Sequence, residues 1–250
     1  MLKLQNIIKT FAQLPEAILK NINLQIDAND YCIILGSNGS GKSTLFKIIS
    51  GEYKADSGAI ILHEQNITNQ PTHMRARDIS CVAQDITKGT ISEMTLLENI
   101  ALSNLRGQRG GFNLILTHHD KIAENLSLLN LDLEKYLNSK MSSLSGGQRQ
   151  SIATLMAMIP KPSLLLLDEH TSALDPISKQ KIMDFTDNYI KENKITTLMI
   201  THNIKDALTY GNRLIIMNHG NIIYDVKDKA KSQLTEQGIM NILYENGGIL

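Results

Sequence analysis

A glycine-rich loop near the amino terminus has the residue pattern that binds phosphate groups. The loop comprises Gly36, Ser37, Asn38, Gly39, Ser40, Gly41, Lys42, Ser43 and Thr44. It follows an apolar strand-like run, Tyr31–Leu35, and precedes a helix that we expect to begin near Lys42, which is the context this motif requires. Glycines let backbone amides approach phosphate oxygens, and a helix amino terminus adds partial positive charge there. We expect Lys42 to reach the β- and γ-phosphates of a nucleotide and Ser43 to coordinate Mg²⁺.

Two adjacent carboxylates, Asp168 and Glu169, follow a run of leucines, Leu164–Leu167. Such a continuous apolar run is typical of a buried strand in a parallel sheet, and its carboxyl end lies beside the phosphate loop. We expect Asp168 to hold the Mg²⁺ shell through a water and Glu169 to be the general base for the water that attacks the γ-phosphate. The alternative, an acidic helix cap after the strand, is disfavoured by the phosphate loop.

A second anion-binding pattern lies upstream of the acidic pair. Ser145, Gly146, Gly147 and Gln148 open a helix that we predict over Gln148–Ile159, before Pro160 and Pro162. Small residues at a helix amino terminus leave backbone amides available to an anion. Taken alone, Ser-Gly-Gly is more often a turn. Two phosphate-binding helix termini in one chain indicate that each contacts a different nucleotide.

Two kinds of strand must position these residues. Short β-like runs come first, and their alternation predicts antiparallel strands with one solvated face: Leu2–Ile8, Ile22–Ile26, Tyr31–Leu35 and Ala59–Leu62. Continuous apolar runs follow and predict buried parallel strands: Ile79–Ala83, Leu164–Leu167, Thr197–Ile200 and Leu214–Met217. Between Ile86 and Pro160 the pattern is helical, with capping-box spacing that begins a helix at Leu96. A surface helix is expected to close the chain after Lys227.

The composition restricts the class of protein. The chain has 250 residues, a formal net charge of zero, 42% hydrophobic residues and 4% aromatic residues. Neutrality and few aromatics disfavour a nucleic-acid partner. No apolar run approaches the roughly 18 residues of a membrane-spanning helix, so we expect a soluble, cytoplasmic globular protein. Cys32 and Cys81 lie in apolar strand-like runs, which predicts buried thiols and no disulfide.

Together, six motifs resemble the nucleotide-binding domain of ATP-binding-cassette (ABC) transporters over essentially the whole chain, 1–250. Gly36–Thr44 resembles the Walker A motif, Leu144–Gln148 the family signature and Leu164–Glu169 the Walker B motif. The other resemblances are those of Ser172–Asp175 to the D-loop, Gln84 to the Q-loop glutamine and His202 to the switch histidine. Phe11 matches the aromatic residue that stacks on adenine, where tyrosine is commoner.

The resemblance implies an α/β fold with a P-loop NTPase (RecA-like) parallel-sheet core, an antiparallel β subdomain and a helical subdomain inserted over 85–160. It implies an ATPase that uses ATP and Mg²⁺. Two copies would pair head to tail, with ATP between Gly36–Thr44 of one copy and Ser145–Gln148 of the other. Gln84 would contact Mg²⁺ and the attacking water, and His202 would contact the γ-phosphate and hold the water and Glu169 in place.

The same resemblance implies the energy-coupling subunit of a membrane transporter. It would lie at the cytoplasmic face of the membrane as a peripheral protein, docked through the region around Gln84–Ile100 to separate permease subunits. Leu164–Pro176 and Leu198–Gly211 resemble one subgroup of importer ATPases, which is associated with tryptophan/tyrosine-type solute-binding proteins. A solute-binding protein is therefore an expected further partner, and the solute itself is set by the partner chains.

Several alternatives remain beside this interpretation. His170 stands where the family usually has proline, and its imidazole either tunes the pKa of the neighbouring general base or is a tolerated loop residue. Thr117–Asp120 could suggest a metal cluster, but a capped helix start is the simpler interpretation. A soluble ABC ATPase of DNA repair or translation lacks the expected coiled coils or second cassette here. A non-hydrolysing binding module is disfavoured by the complete set of motif residues, and a GTPase by the lack of an N-K-x-D motif.

Overall fold

The computed structural model describes residues 1–85, 89–105, 122–123, 126–127 and 131–247. Its strands form two sheets and are β1 (Leu2–Lys9), β2 (Leu19–Ile26), β3 (Tyr31–Leu35), β4 (Ser57–Leu62), β5 (Gln65–Asn66), β6 (Ile79–Val82), β7 (Leu164–Asp168), β8 (Thr196–Thr201), β9 (Arg213–Asn218) and β10 (Asn221–Lys227). The α-helices that lie wholly within the described residues are α1 (Lys42–Ser50), α2 (Thr72–Arg75), α3 (Leu96–Leu105), α4 (Gly146–Met158), α5 (Pro176–Asn193), α6 (Ile204–Thr209), α7 (Lys229–Ser232) and α8 (Glu236–Glu245).

The smaller sheet is antiparallel throughout and has the strand order β2-β1-β4-β5. Its strands alternate because one face is covered and the other is solvated. Along β1, for example, Leu2, Leu4 and Ile7 are buried, whereas Lys3 and Gln5 are exposed. The antiparallel prediction is therefore confirmed for the runs in β1, β2 and β4.

The larger sheet has the strand order β10-β9-β3-β8-β7-β6, and its strands are parallel except for β10 at one edge. Every residue of β3 and β8 is buried. The expectation that Tyr31–Leu35 is an antiparallel strand with one solvated face is wrong, because β3 lies inside this sheet with both faces covered. The continuous apolar runs in β6, β7, β8 and β9 form parallel strands, as predicted.

The two faces of the larger sheet pack into separate apolar cores. One core includes Ile34 and Leu166 of the sheet, together with Leu45 of α1 and Leu4 of the smaller sheet. The core on the opposite face combines sheet residues with side chains from α5 and α8, and includes Leu35, Leu167, Met183 and Ile239. Because both faces are covered, the carboxyl ends of the parallel strands form the open edge at which a ligand can be bound.

A third apolar cluster lies within the segment predicted as a helical insertion, and it includes Leu96, Ile100, Met141, Leu144 and Ile152. Helix α3 begins at Leu96 with the predicted capping box. Thr95 Oγ1 accepts a hydrogen bond from Glu98 N at 3.2 Å, and Thr95 N donates to Glu98 Oε2 at 2.8 Å. The subdomain bounds of 85–160 stay a prediction, and Thr117–Asp120 lies outside the described residues.

The later helices agree with the expected positions. The helix predicted over Gln148–Ile159 is α4, which begins slightly earlier at Gly146 and ends at Met158. The predicted closing helix is α8, which buries Ile239 and Leu243 against the core. In the part of the chain that the structure describes, no helix combines the length and apolarity needed to cross a bilayer.

Cysteine burial follows the position of each strand in the sheet. Cys32 lies in the inner strand β3, is buried, and has a thiol whose pKa is raised by that burial. Cys81 lies on β6 at the edge of the sheet and is exposed. The prediction of two buried thiols is therefore wrong for Cys81, because its side of the edge strand is not covered. Neither cysteine forms a disulfide.

Candidate functional site

The glycines of the phosphate loop are required by the path of the backbone. Gly39 and Gly41 have φ angles of 79° and 99°, in the left-handed region that favours glycine. A Cβ atom on Gly36 would lie 2.2 Å from the backbone oxygen of Met217 on the neighbouring strand β9. The turn from β3 into α1 therefore folds as the motif predicts, with α1 beginning at Lys42.

The ammonium of Lys42 folds back onto this loop. Its Nζ donates hydrogen bonds to the backbone oxygens of Gly36 and Ser37 at 2.7 and 2.8 Å. The side chain is buried, and burial lowers its pKa, although the nearby carboxylates of Glu169 and Asp168 oppose that shift. The cation therefore has neutral carbonyls as its direct partners, and an anion in the loop would gain a charge-assisted contact with it.

One cavity joins the loop to the carboxyl end of the sheet. It has a volume of about 300 Å³ and is lined by Ile18, Asn38, Gly39, Ser40, Gly41, Lys42, Ser43, Thr44, Gln84 and Glu169. The structure thus brings most of the predicted phosphate-loop residues together with Gln84 and Glu169. Ile18 is an addition that sequence reasoning misses, because nothing in its local pattern distinguishes it from other apolar residues before β2.

Asp168, at the end of β7, has the environment of a cation ligand. Its Oδ1 is buried and has no hydrogen-bond partner among the described residues, while the nearby Ser43 hydroxyl lowers the pKa of the carboxyl. Burial raises the pKa of Asp168; Ser43 and Lys42 oppose this rise, and Glu169 adds to it. A buried carboxylate oxygen without a partner, beside a hydroxyl, fits the oxygen ligands that Mg²⁺ prefers.

A metal ion at this point would not be enclosed by protein side chains. Within the described ranges, no group of three or more His, Cys, Asp and Glu side chains is placed to hold a metal ion. Mg²⁺ commonly binds through one or two protein ligands, with water and substrate phosphates completing its shell. The donor set at Ser43 and Asp168 therefore fits a magnesium–nucleotide complex better than an all-protein metal site.

Glu169 is held by contacts from the two neighbouring strands. Its Oε2 accepts a hydrogen bond from Gln84 Nε2 at 3.1 Å, and its Oε1 lies 3.2 Å from His202 Nδ1. These residues follow β6, β7 and β8, whose parallel register pairs Val82 with Leu167 and Asp168 with Ile200. The three side chains predicted to act on the attacking water thus meet at one edge of the sheet.

The backbone of Glu169 is also unusual. Its φ angle is 46°, in the left-handed region that costs a non-glycine residue free energy, and such strain is concentrated at functional sites. The Glu169 amide donates to the Ile200 oxygen at 3.3 Å, which fixes the turn after β7 against β8. The side chain is largely buried, whereas the imidazole of His202 is 63% exposed. The carboxylate is therefore oriented by the fold, while one partner stays open to solvent and to a ligand.

The signature residues form a helix terminus at some remove from the phosphate loop. Ser145 caps α4: its Oγ accepts from Gln148 N at 3.2 Å, and Gln148 Oε1 accepts from Ser145 N at 2.9 Å. A Cβ on Gly147 would lie 3.1 Å from the Leu174 side chain, so the glycine permits close packing against the D-loop segment. None of Ser145–Gln148 lines the phosphate-loop cavity. The structure of one chain therefore does not bring the two anion-binding termini together.

Phe11 lies between β1 and β2, outside the residues that line the cavity. Its ring packs edge-on against Tyr53, with centroids 5.4 Å apart, and Lys9 Nζ lies 5.3 Å from its centroid. The adenine-stacking role of Phe11 stays a prediction. Tyr53, its partner, is a second aromatic at this place that sequence reasoning misses, since the two residues are far apart in the chain.

His170 is buried directly behind the candidate base. It is 1% exposed, its Nε2 has no partner among the described residues, and burial lowers its pKa to about 3. The imidazole is therefore neutral near pH 7. A charged imidazole that tunes the pKa of Glu169 does not fit this environment, so the alternative of a tolerated, packed residue is favoured.

Comparison with known proteins identifies the family. The family model described as ABC transporter matches residues 19–172, more than half of the chain. A tyrosine transport ATP-binding protein of Clostridioides difficile is 43% identical over 244 residues, which cover 96% of this chain and 97% of that protein. A spermidine/putrescine import ATP-binding protein of Fusobacterium nucleatum is 36% identical over 206 residues, which cover 82% of this chain and 52% of that protein.

Solved ABC cassettes have the same fold. A dimeric cassette in a post-hydrolysis state with ADP and Pi has a TM-score of 0.79 and 32% identity, covering 91% of this chain and 98% of that chain. The ADP conformation of another ABC transporter cassette has a TM-score of 0.77 and 26% identity, covering 97% of both chains. The predicted fold class is confirmed. The chain belongs to the ABC transporter family, as an ATP-binding cassette that hydrolyses ATP to power transport.

Proposed function

We propose that this chain energises the import of an aromatic amino acid, as a head-to-tail dimer bound to separate permease subunits. The observation that carries the catalytic part is the contact of Glu169 with both Gln84 and His202 at the edge of the phosphate-loop cavity. The solute class is supported by the tyrosine transport relative, which matches this chain over nearly its full length. The spermidine/putrescine relative is less similar, and the chain spans about half of its length.

ATP would enter with its phosphates in the loop Gly36–Thr44. The backbone amides of the loop and the amino terminus of α1 would donate to the phosphate oxygens. Lys42 would exchange its bonds to the Gly36 and Ser37 oxygens for the β- and γ-phosphates, which are stronger, charged acceptors. Phe11 would offer its ring to the adenine, as the family pattern implies.

Ser43, Asp168 and Gln84 would hold Mg²⁺ beside these phosphates. When bound, the metal would neutralise part of the negative charge on the phosphate oxygens. The partnerless Oδ1 of Asp168 and the adjoining Ser43 hydroxyl support this assignment. Gln84 would contact the metal while its Nε2 donates a hydrogen bond to Glu169.

Hydrolysis requires a water aligned with the γ-phosphorus and a group that takes its proton. Glu169 would accept this proton as the water oxygen bonds to phosphorus and the bond to ADP breaks. Gln84 and His202 would keep the carboxylate in one orientation, which matters because misplacement by about 1 Å can cost a factor of about 100 in rate. His202, being exposed, would also reach the γ-phosphate.

A second copy would complete the site. Ser145–Gln148 lies outside the phosphate-loop cavity of its own chain, which supports the view that it serves the nucleotide of a partner copy. Ser145 accepts a bond from Gln148 N, so its hydroxyl proton remains available to donate to a phosphate oxygen. A dimeric relative with ADP and Pi adds support from the fold.

The permease subunits would bind the region around Gln84–Ile100, which leads from the site into α3. Ile91 and, just beyond, Leu102 are exposed apolar side chains of this region, at 49% and 40% exposure. Such side chains suit a protein contact. The chain would then be a peripheral protein on the cytoplasmic face of the membrane, with a solute-binding protein on the other side.

Reconstitution tests the proposed solute class. The chain is placed with its permease subunits and solute-binding protein in proteoliposomes, and ATP hydrolysis is measured with tyrosine, tryptophan, spermidine or no solute. We expect tyrosine or tryptophan to stimulate hydrolysis and to accumulate in the vesicles, and spermidine to do neither. Stimulation by spermidine alone would overturn the aromatic amino acid assignment and favour a polyamine.

A further inference from the structure

An ion pair joins α5, the helix that follows Glu169, to α6, the helix that follows His202. Lys179 Nζ of α5 lies 2.8 Å from Asp206 Oδ2 of α6. The side chains are 31% and 17% exposed, so the pair is only partly screened by water. Lys179 belongs to no segment singled out from the sequence, and Asp206 lies within Leu198–Gly211 but was given no role there.

Lys179 is connected to Glu169 through a short, hydrogen-bonded segment. The Ser172 backbone amide donates to the backbone oxygen of Glu169 at 2.9 Å, and the Asp175 side chain caps α5 by accepting from the backbone amides of Ile177 and Ser178 at 3.0 Å. The Lys179 backbone amide in turn donates to the backbone oxygen of Asp175 at 2.8 Å. The first turn of α5 is therefore fixed relative to the strained turn that carries the general base.

Asp206 is connected to His202 in the same way. Asn203, next to His202, caps α6 by accepting from the amides of Lys205 and Asp206 at 2.8 and 3.2 Å. The Asn203 amide donates to Thr201 Oγ1 at 3.1 Å, which anchors the cap to the end of β8. A displacement of Asp206 would therefore be passed to the backbone of His202.

A cavity of about 180 Å³ lies between the segment that leads from Glu169 to α5 and the segment that leads from His202 to α6. Its lining includes His170, Thr171, Met183, Met199, Lys179 and Asp206. Glu169 and His202 line the same cavity. Because a cavity removes packing contacts, direct bonds across it carry more of the positioning. At the far end of α6, Gln180 Nε2 donates to the Tyr210 hydroxyl at 3.1 Å, so α6 is tied to α5 at both ends.

We propose that Lys179 and Asp206 are positioning residues, whose ion pair sets the separation of Glu169 and His202 by bridging the helices that follow them. The proposal rests on the proposed function, because it requires Glu169 and His202 to act in hydrolysis. Neither Lys179 nor Asp206 contacts the phosphate-loop cavity. The pair acts on the step of water activation and leaves ATP binding as it is.

The test uses Lys179→Met, Asp206→Asn, their double variant and the reversed pair Lys179→Asp/Asp206→Lys in the full chain. Lys191→Met is the matched control, because Lys191 also lies on α5 and pairs with Asp187 at 2.6 Å on the same helix. Steady-state hydrolysis gives kcat and KM for ATP, and thermal unfolding reports stability. We expect each single variant to lower kcat about tenfold with KM within about twofold of wild type, since misplacement affects the chemical step.

Further expectations separate positioning from a general structural role. The double variant should match the single variants instead of multiplying their losses, and the reversed pair should recover at least about half of the lost rate, because coupled partners are non-additive. Lys191→Met should keep the wild-type kcat. If Lys179→Met fails to fold, Asp206→Asn, which removes the charge of the other partner, and the reversed pair carry the same comparison.

Two failures are distinguishable. A wild-type kcat in Lys179→Met, or multiplied losses in the double variant, or no recovery in the reversed pair would overturn the positioning role while wild-type hydrolysis stands. Absence of hydrolysis in the wild-type chain, or undiminished hydrolysis after Glu169→Gln, would instead overturn the proposed function on which it rests.

Discussion

The imidazole Nδ1 of His202 lies 3.2 Å from Oε1 of Glu169. The two residues directly follow adjacent parallel strands, β8 and β7, and the Glu169 backbone amide donates a hydrogen bond to the backbone oxygen of Ile200 in β8. The other carboxylate oxygen is bonded to Gln84. Both oxygens of the candidate base are thus oriented by protein side chains, which reduces the reorganisation needed at the moment of reaction.

Replacing His202 tests this contact directly. In His202→Ala, Glu169 loses the partner of Oε1, and we expect kcat for ATP hydrolysis to fall about 100-fold because the water and base are no longer aligned. ATP binding, measured by calorimetry, should change much less. His73→Ala, an exposed histidine on α2, is the control and should retain full activity. Loss of ATP binding in step with kcat would show that His202 is a binding residue and not an aligning one.

Replacing Lys42 tests the phosphate loop. Lys42→Ala removes a buried cation whose present acceptors are the Gly36 and Ser37 oxygens. We expect ATP affinity to fall about 10- to 100-fold, as a charge-assisted contact is lost. Titration calorimetry with ATP measures this, and Lys54→Ala, at an exposed lysine, provides the comparison. Unchanged affinity in Lys42→Ala would refute its contact with the phosphates.

Two glycines of the motifs should respond differently to an added methyl group. Gly36→Ala places a Cβ 2.2 Å from the Met217 backbone oxygen, which cannot move without disturbing β9. We expect a loss of about 1 to 3 kcal/mol in the free energy of unfolding, typical of overpacking. Gly147→Ala meets the end of the Leu174 side chain at 3.1 Å, which can rotate, so its loss should be smaller.

Urea unfolding of both variants and of Gly238→Ala makes the comparison. Gly238 lies in α8, where a Cβ would meet only ordinary contact distances to the Thr235 hydroxyl. That variant should be at least as stable as wild type, because alanine favours helix. Equal stability of Gly36→Ala and Gly238→Ala would mean that the close approach of β9 to the loop is absent in solution.

Buried Lys231 predicts a pH dependence of stability. Its Nζ donates to the backbone oxygens of Tyr210 and Gly211, and burial lowers its pKa to about 8 from an ordinary 10.5. Between these values the unfolded chain holds more protons on this group than the folded chain, so stability from Lys231 rises with pH. Below pH 8 the full cost of burying the cation is present.

Urea unfolding from pH 7.5 to 10.5 measures the effect against Lys231→Met. The free energy of unfolding of wild type, relative to that of Lys231→Met, should rise by up to about 3 kcal/mol from the lowest to the highest pH. Lys229→Met, at an exposed lysine on the same helix, should follow wild type. Parallel curves for wild type and Lys231→Met would contradict the lowered pKa.

The motif residues are predictable from sequence because phosphate chemistry restricts residue types over short spans. Gly36–Thr44 is contiguous, and Asp168 and Glu169 directly follow a buried strand, so local pattern suffices. The contacts that orient them join distant segments: Gln84 and Glu169 are 85 positions apart, and Lys179 and Asp206 are 27 apart. No local pattern selects one such pair, because the folded sheet decides which side chains meet.

The fold shows a similar division. Alternation and continuous apolar runs predict most strands, because burial on one or both faces leaves a direct trace in the pattern. The residues of edge strand β10 are mostly half-buried, so their pattern is weak. The burial of Tyr31–Leu35 and the exposure of Cys81 depend on which strands lie beside them, and that strand order is a property of the assembled sheet.

The most direct test of the proposed chemistry is Glu169→Gln, which keeps the size and the hydrogen-bonding reach of the side chain but removes its basicity. ATP turnover and molar mass by light scattering are measured on the same protein with ATP and Mg²⁺. We predict that turnover falls at least about 100-fold, as expected on loss of a general base, while ATP still binds and the protein runs as a dimer that reverts to monomer without ATP. Turnover close to wild type in Glu169→Gln would contradict the assignment of Glu169 as the base.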